Sequence, residues 1–177
     1  MSKLTPPVSK TDHSQGPIDA LLELVEYGDF ECPHCGAAYP IIKEIQREFS
    51  KKLRFIFRHF PITNAHPHAF SAAVASEAAG RQRKFWEMHD IIYEHQAELS
   101  DSSYLAFANV LGLSLTLFEQ DLQDEELANK VESDFESGIR SGVNGTPSFY
   151  INGQKYQGSY DYDSMSNAIE SRILHVS

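Results

Sequence analysis

The order of hydrophobic patterns between residues 20 and 59 restricts the folds that this chain can adopt. Residues 20–27, ALLELVEY, form a compact apolar run that is typical of a buried β-strand. From Pro33 to Phe49 apolar residues recur at every fourth position, which predicts an amphipathic helix. Residues 53–59, LRFIFRH, combine aromatic and β-branched side chains and predict a second strand. A helix of this length between two strands predicts a parallel strand pair joined by a right-handed crossover.

The rest of the sequence divides into segments of different character. Residues 1–17 are polar and rich in proline, so we expect a flexible lead-in before the first part of the core at residues 18–63. Residues 64–142 are rich in Ala, Glu, Gln and Leu and predict an inserted all-helical lobe. Residues 143–177 return to strand character, with Asn152-Gly153 as a hairpin turn, and end in a helix. The sequence therefore predicts an α/β fold with a mixed central sheet flanked by helices.

Composition and charge exclude several classes of function. The 177 residues include 25 acidic and 15 basic side chains, which gives a net charge of -10 at pH 7. A surface this acidic repels phosphate backbones and anionic headgroups, which argues against nucleic-acid partners and membrane adhesion. No apolar run is long enough to span a bilayer, and the amino terminus lacks the apolar core of a secretion signal. We therefore expect a cytoplasmic protein without membrane insertion, although a chain trimmed of its signal would show the same pattern.

Both cysteines lie in one window, Cys32-Pro33-His34-Cys35, at the predicted junction of strand and helix. The unpaired N–H groups and the dipole at a helix start stabilise an anion by about 0.3–2 kcal/mol. Pro33 suits the first helical turn, and His34 adds a group able to carry positive charge. The helix start and His34 both favour a thiolate at Cys32, and Cys35 is nearly one turn further on. We therefore predict a redox pair in which Cys32 is the exposed nucleophile and Cys35 the buried resolving thiol.

Three other interpretations of the cysteine pair fit the sequence less well. A structural disulfide between residues this close would form a ring too small to stabilise the fold. A structural zinc site needs four protein ligands, and nothing in the sequence fixes a histidine near the cysteines. Two inert buried thiols would not require Pro33-His34 or a helix start. The redox interpretation also predicts a direction, because whatever stabilises the thiolate stabilises the reduced form, so His34 favours an oxidising pair.

The sequence resembles the DsbA family of thioredoxin-fold thiol–disulfide oxidoreductases. The resemblance is carried by VEYGDFECPHCGAAYP, RFIFRHFP and GVNGTPSFYINGQKYQG, and it covers residues 18–175. A CPHC motif with a distant Thr-Pro is a specific combination, whereas CxxC alone would be a weaker signal. More narrowly, the chain resembles the cytoplasmic-type members, including those appended to sodium/proton antiporters. The resemblance implies a thioredoxin core with the helical lobe between its second and third strands.

The resemblance also implies roles for three further residues. Pro147 matches the family's cis-proline opposite the cysteines, although the sequence alone is equally compatible with an ordinary proline at a strand start. The free backbone of Thr146 would pair with an extended substrate. Glu26 matches a family acid buried beneath the disulfide, where a raised pKa would let it relay a proton to or from Cys35. The alternative for Glu26 is a solvated side chain at a strand end, as expected for Glu23.

Together these residues predict an enzyme that exchanges disulfides with protein, peptide or small-thiol substrates, with glutathione as one candidate partner. The redox-active Cys32–Cys35 disulfide would be its working group, and we expect no metal or organic cofactor. The sequence leaves open whether the enzyme is an oxidase, a reductase or an isomerase, and it leaves the oligomeric state open. The alternative function is a non-catalytic redox sensor or partner-binding module that uses the same groove.

Overall fold

The computed structural model describes residues 2–176, which form a five-stranded mixed sheet and seven α-helices. The strands are β1 (His13–Gln15), β2 (Leu22–Gly28), β3 (Leu53–His59), β4 (Ser148–Ile151) and β5 (Gln154–Tyr156). Their spatial order is β1-β3-β2-β4-β5, with β2 and β3 parallel and the other neighbours antiparallel. The mixed sheet expected from the sequence is therefore confirmed.

The helices lie before, within and after a long insertion. They are α1 (Pro33–Glu48), α2 (Ala69–Arg81), α3 (Phe85–Glu94), α4 (Asp101–Val110), α5 (Leu115–Leu122), α6 (Glu125–Ser141) and α7 (Tyr162–Val176). A single 3₁₀ turn at Gln96–Glu98 joins α3 to α4. The crossover between the parallel strands is α1, while α2 to α6 all lie between β3 and β4 in the sequence. The helical lobe is thus inserted in the sequence between the part of the chain that forms β1 to β3 and the part that forms β4 and β5.

The side chains of the central strand β2 alternate between the two faces of the sheet, which decides which of them face α1. Leu22 and Leu24 belong to the larger core cluster, which also contains Cys35 and the buried face of α1. Val25 and Tyr27 belong to a second cluster on the other face of the sheet. Because side chains of a strand alternate between its two faces, Glu26 shares the face of Leu22 and Leu24. The strand therefore directs the Glu26 carboxyl toward the cysteine side of the sheet.

The amino-terminal segment differs from the flexible lead-in predicted for residues 1–17. Leu4 is buried, and its N–H donates to the carbonyl of Gly153 at 2.8 Å. The strand β1 extends the sheet beyond β3, and the guanidinium of Arg58 on β3 is held by Asp12 at 2.8 Å and 3.0 Å. A buried guanidinium needs such acceptors, so the segment is fixed by a residue 46 positions away. The described part of this segment therefore packs against the sheet through Leu4, Asp12 and β1, and Met1 lies outside the described residues.

Candidate active site

Cys32 is the N-cap residue of α1, and Pro33 occupies the first helical position. The pKa of Cys32 is lowered from 9.0 to about 5. The largest cause is a hydrogen bond from Cys35; burial opposes it, and the backbone N–H groups of His34 and Cys35 add to it. These N–H groups are the unpaired donors of the first helical turn, so the helix start stabilises the thiolate as the sequence indicates.

Cys35 differs from Cys32 in that its thiol pKa is raised rather than lowered. It is fully buried, and the N–H of Asp29 donates to its Sγ at 3.5 Å. Burial, followed by the hydrogen bond to Cys32 and the charge of Glu26, raises the pKa of Cys35 well above its usual value. The two sulfurs therefore differ in ionisation, one being a thiolate and the other a thiol at neutral pH. Both cysteines are free in this structure, as a dithiol.

Cys32 is less accessible than the sequence predicted. Only 4% of the residue is exposed, although we expect an exposed nucleophile from the sequence. The cause is the segment that precedes β4, because the carbonyl oxygen of Thr146 lies 3.5 Å from the Sγ of Cys32. The Thr146–Pro147 peptide bond is cis. The buried hydroxyl of Thr146 makes no hydrogen bond in this conformation, yet it lies close enough to Cys32 to favour the thiolate. Thr146 and Pro147 are thus brought directly against the first cysteine.

Glu26 lies on β2 and is 4% exposed. Burial, followed by the negative charge of Cys32, raises the pKa of this carboxyl from 4.5 to about 8. Its strand neighbour Glu23 is 37% exposed and lies 3.5 Å from Arg54. The solvated interpretation therefore describes Glu23, whereas Glu26 is a buried carboxyl whose proton is exchangeable near neutral pH. Its charge also contributes to the raised pKa of Cys35, which places the two groups in one electrostatic unit.

His34 is exposed, and its Nδ1 lies 3.2 Å from the hydroxyl of Tyr160. The contribution of this residue to the lowered pKa of Cys32 comes from its backbone N–H. The imidazole is turned toward Tyr160 in the loop before α7 rather than held against the sulfur.

Asp29 is a site residue that the sequence analysis does not identify. Its buried carboxylate accepts hydrogen bonds from the N–H groups of Glu31 and Cys32, at 2.8 Å and 3.1 Å, and from that of Ile62 at 2.8 Å. The Nδ1 of His66 lies 2.8 Å from the same carboxylate. Burial lowers the pKa of His66, but the hydrogen bond and charge of Asp29, aided by the charge of Cys32, outweigh burial and raise it. An aspartate between a strand and a helix is typical of such turns, which is the signal available in the sequence.

Gln96 is a second residue that sequence reasoning misses. Its side-chain amide donates to the carbonyl of Phe30 at 2.9 Å and to that of Cys32 at 2.7 Å. The amide packs against Gly36, where an added methyl group would lie 2.3 Å from its Oε1. Gln96 thus holds the cysteine window from the helical lobe. No local pattern around residue 96 indicates this role, because the contact spans 64 positions.

The zinc interpretation of the cysteine pair receives no support from the geometry. Within residues 2–176, the one group of three or more potential ligands close enough to share an ion consists of His59, Glu77 and Asp134. Neither cysteine belongs to it.

Comparison with known proteins gives one family. A family model described as "Thioredoxin" matches residues 8–171. The Na⁺/H⁺ antiporter NhaA 1 of Salinispora arenicola is 44% identical over 160 residues, which are 90% of this chain and 24% of the relative. The NhaA antiporter of Herminiimonas arsenicoxydans is 38% identical over 169 residues, which are 95% of this chain and 27% of the relative. The chain therefore spans about a quarter of the length of these relatives.

Two solved structures show the same fold. BdbD from Bacillus subtilis in its oxidised form superposes with a TM-score of 0.86, at 24% identity and with 98% of each chain covered. The thiol-disulfide exchange protein alpha-DsbA2 from Wolbachia pipientis gives a TM-score of 0.82 at 23% identity, covering 96% of this chain and 89% of that protein.

The relatives also correct one expectation. From the sequence we expect a cytoplasmic protein, and this is contradicted by relatives that are named as antiporters, which are membrane proteins. Among residues 2–176, no helix is both long and apolar enough to cross a membrane. The predicted likeness in fold to DsbA-type proteins is confirmed by the solved neighbours, and the match over residues 8–171 shows that this chain belongs to the thioredoxin family.

Proposed function

We propose that this protein is a thiol–disulfide oxidoreductase that exchanges disulfides through Cys32 and Cys35. The observation that carries the proposal is the opposite ionisation of the two sulfurs, with a pKa of about 5 at Cys32 and a strongly raised pKa at Cys35. A thiolate is the nucleophile in disulfide exchange, and a low thiol pKa also makes that sulfur a good leaving group. The pair therefore has one sulfur suited to attack and one suited to resolution.

In the reducing direction the Cys32 thiolate attacks one sulfur of a substrate disulfide. A bond forms between Cys32 and that sulfur, and the other substrate sulfur leaves as a thiolate. Cys35 then loses its proton, attacks the Sγ of Cys32 and releases the second substrate thiolate. The enzyme ends as a disulfide, and the substrate gains two electrons. The oxidising direction is the reverse of these steps.

Glu26 is proposed as the proton carrier for Cys35. Cys35 must lose a proton to resolve the mixed disulfide and must gain one when the enzyme disulfide is opened. A carboxyl with a pKa of about 8 is present in both protonation states near neutral pH, which suits proton exchange in either direction. The two sulfurs carry both electrons, so we propose that the reaction needs no metal or organic cofactor.

Thr146 and Pro147 are proposed to bind the substrate chain. The Thr146 carbonyl lies against the Cys32 sulfur, and β4 begins only at Ser148, so the backbone of residues 146–147 precedes the paired part of the sheet. An extended peptide can add to such a backbone as a further strand, which brings its own sulfur beside Cys32. We propose protein or peptide thiols and disulfides as substrates, and glutathione as a small-thiol partner. His34 and Pro33 complete the window that faces them.

Turnover distinguishes this function from a redox sensor or a binding module. We expect substoichiometric protein to accelerate the reduction of insulin by a dithiol and the refolding of reduced ribonuclease, and Cys32→Ser to abolish both activities. Cys35→Ser serves as a matched variant, because it should accumulate mixed disulfides that it cannot resolve. Stoichiometric oxidation without turnover in either assay would support the sensor and contradict the enzyme. The reduction potential of the pair then assigns the direction.

A further inference from the structure

A cavity of about 650 Å³ lies in the helical lobe, at the point where four helices meet. It is bounded by the amino-terminal ends of α2, α4 and α6 and by the carboxyl-terminal end of α5. Ligand pockets have volumes of about 300–1,000 Å³, so this cavity is large enough to hold several side chains of a partner. Neither cysteine lines it, and the exchange steps described above do not use it. We call this cavity the lobe pocket.

The more buried part of the lobe pocket is apolar. It is formed by Phe70 and Val74 of α2, Leu105 of α4 and Leu122 of α5. Val74 is buried, whereas the other three side chains are half-buried and keep apolar surface in contact with water. Removal of such surface from water is favourable, so the pocket is suited to an apolar ligand group.

The rim of the lobe pocket is acidic. Asp101, Glu119 and Glu125 are exposed there, and Asp124 is half-buried and pairs with Arg81 at 2.6 Å. Within residues 2–176 the other three carboxylates form no ion pair, and no lysine, arginine or histidine lines the pocket. The helix amino termini that meet at the pocket contribute about half a positive charge each, which offsets only part of the four negative charges. The rim is therefore complementary to a cation.

Hydrogen bonds connect the lobe pocket to the cysteine window. Glu31 directly precedes Cys32, and its carboxylate accepts the backbone N–H of His68, the residue before α2. The carbonyl of His68 accepts a hydrogen bond from the hydroxyl of Ser71 at 3.1 Å, and Ser71 lines the pocket. A single residue, His68, therefore contacts both the pocket wall and the cysteine window.

The segment after α3 makes a second connection. Gln96 donates to the carbonyl of Cys32, and α4 begins five positions later with Asp101 on the pocket rim. Five residues span at most about 18 Å, because each extended residue advances the chain by no more than about 3.6 Å. An extended polypeptide that exchanges with Cys32 therefore reaches the pocket in about six to eight residues.

From this geometry we propose that the lobe pocket binds a segment of the substrate polypeptide that contains neighbouring apolar and basic side chains. The proposal rests on the exchange function proposed above and adds a class of substrate to it. An apolar side chain fills the buried part of the pocket, and lysine or arginine side chains pair with the carboxylates of the rim. A second copy of this chain is a poorer occupant, because two copies with a net charge of -10 repel each other.

The test compares two single-cysteine peptides in which the cysteine forms a mixed disulfide with thionitrobenzoate. About six to eight residues from the cysteine, one peptide carries a segment of leucine and arginine, and the other a segment of leucine and glutamate. The Cys32 thiolate attacks the peptide sulfur, the bond to thionitrobenzoate breaks, and the coloured thiolate leaves with the bonding electrons. The symmetric thionitrobenzoate disulfide, which contains no peptide, gives a reference rate for each protein variant.

Relative to the reference disulfide, we expect the basic peptide to react about three- to tenfold faster than the acidic peptide, since several partly exposed charge pairs form. Raising the salt concentration from about 0.02 M to about 0.5 M should reduce this preference in the wild type. The double variant Glu119→Gln/Glu125→Gln should lose most of the preference. Its matched control, Glu132→Gln/Glu170→Gln, removes two exposed carboxylates outside the pocket and should keep the preference.

Failure of the pocket and failure of the exchange function give different results. Equal rates for the two peptides overturn the substrate class, and they leave the exchange function in place if the reference disulfide still reacts faster with the protein than with free cysteine. A reference disulfide that reacts no faster than with free cysteine overturns the exchange function, and the substrate class with it.

The variants locate the charge effect. A preference that survives in Glu119→Gln/Glu125→Gln, or that falls equally in the control, places the effect outside the lobe pocket and overturns the proposal. Calorimetric binding of hexylammonium ions at the pocket without a peptide preference would assign it to a small organic cation. Dimer formation that the pocket variant abolishes would assign it to a second copy, and either result also overturns the proposal.

Discussion

The coupling between Glu26 and Cys32 predicts how the reduction potential depends on pH. The Cys32 thiolate is the second cause, after burial, of the raised pKa of Glu26, which is about 8 in the dithiol form. Formation of the disulfide removes this charge, so the pKa of Glu26 must fall in the oxidised protein. Between the two pKa values, reduction takes up a proton at Glu26 in addition to the proton that Cys35 takes up.

The size of the effect follows from the number of protons. Above the pKa of Cys32, about 5, this sulfur stays ionised, so two-electron reduction binds one proton, at Cys35. One proton per two electrons lowers the potential by about 30 mV per pH unit, and two protons lower it by about 59 mV. We therefore expect the wild-type slope between about pH 6 and pH 8 to exceed 30 mV per unit, and Glu26→Gln to return it to about 30 mV.

The assay is an equilibrium titration against glutathione at several pH values, with the free thiols counted by alkylation. Glu23→Gln is the matched control, because it removes a carboxyl from the same strand at a position that is 37% exposed. Its slope should equal that of the wild type. Equal slopes in the wild type and Glu26→Gln would refute the coupling between Glu26 and Cys32.

Three further predictions concern the cysteine window. Cys35→Ala should raise the pKa of Cys32 by about one to two units, since a hydrogen bond to a charged group contributes about 1.5–3 kcal/mol. Cys35→Ser keeps a hydrogen-bond donor and should raise the pKa of Cys32 less, and thiolate absorbance measures both shifts. Gly36→Ala should lower the free energy of unfolding by ~1–3 kcal/mol, because the added methyl group displaces the Gln96 amide. Denaturant titration measures this loss, and the loss should be much smaller when Gln96 is already replaced by Ala. His34→Gln should make the pair more reducing, with a change of less than tenfold in its equilibrium constant with glutathione, since the imidazole is exposed. An unchanged or higher reduction potential would contradict a role for the charge of His34.

Elements with a local signal are those that the sequence predicts well. The apolar run at residues 20–27, the helical period from Pro33 and the aromatic and β-branched segment at residues 53–59 are all local signals, and all three elements are present. The hairpin at Asn152-Gly153 is also present, and both residues have positive φ, as its turn type requires. The position of Cys32 at a helix start follows from these boundaries.

Features that depend on distant partners are not predictable in this way. The chain before β1 looks flexible because its composition is polar, but the buried Arg58 requires acceptors, and this segment supplies most of them. Asp29 and Gln96 fix the cysteine window through backbone groups, which leave no mark in a hydrophobic pattern. The burial of Cys32 is likewise a consequence of Thr146, which lies 114 positions away.

These distant contacts show that the helical lobe helps to hold the cysteine window in place. Gln96 in the lobe holds the carbonyl of Cys32, the residue that caps α1, so a shift of the lobe would alter the helix start on which the thiolate depends. Glu77 and Asp134 attach the same lobe to His59, which pairs in register with Gly28 at the end of β2, directly before Asp29. The lobe is therefore joined to both sides of the cysteine window. Since one pKa unit corresponds to about 1.36 kcal/mol, a lobe displacement that weakened the Gln96 contact at the helix start would change the ionisation of Cys32 measurably.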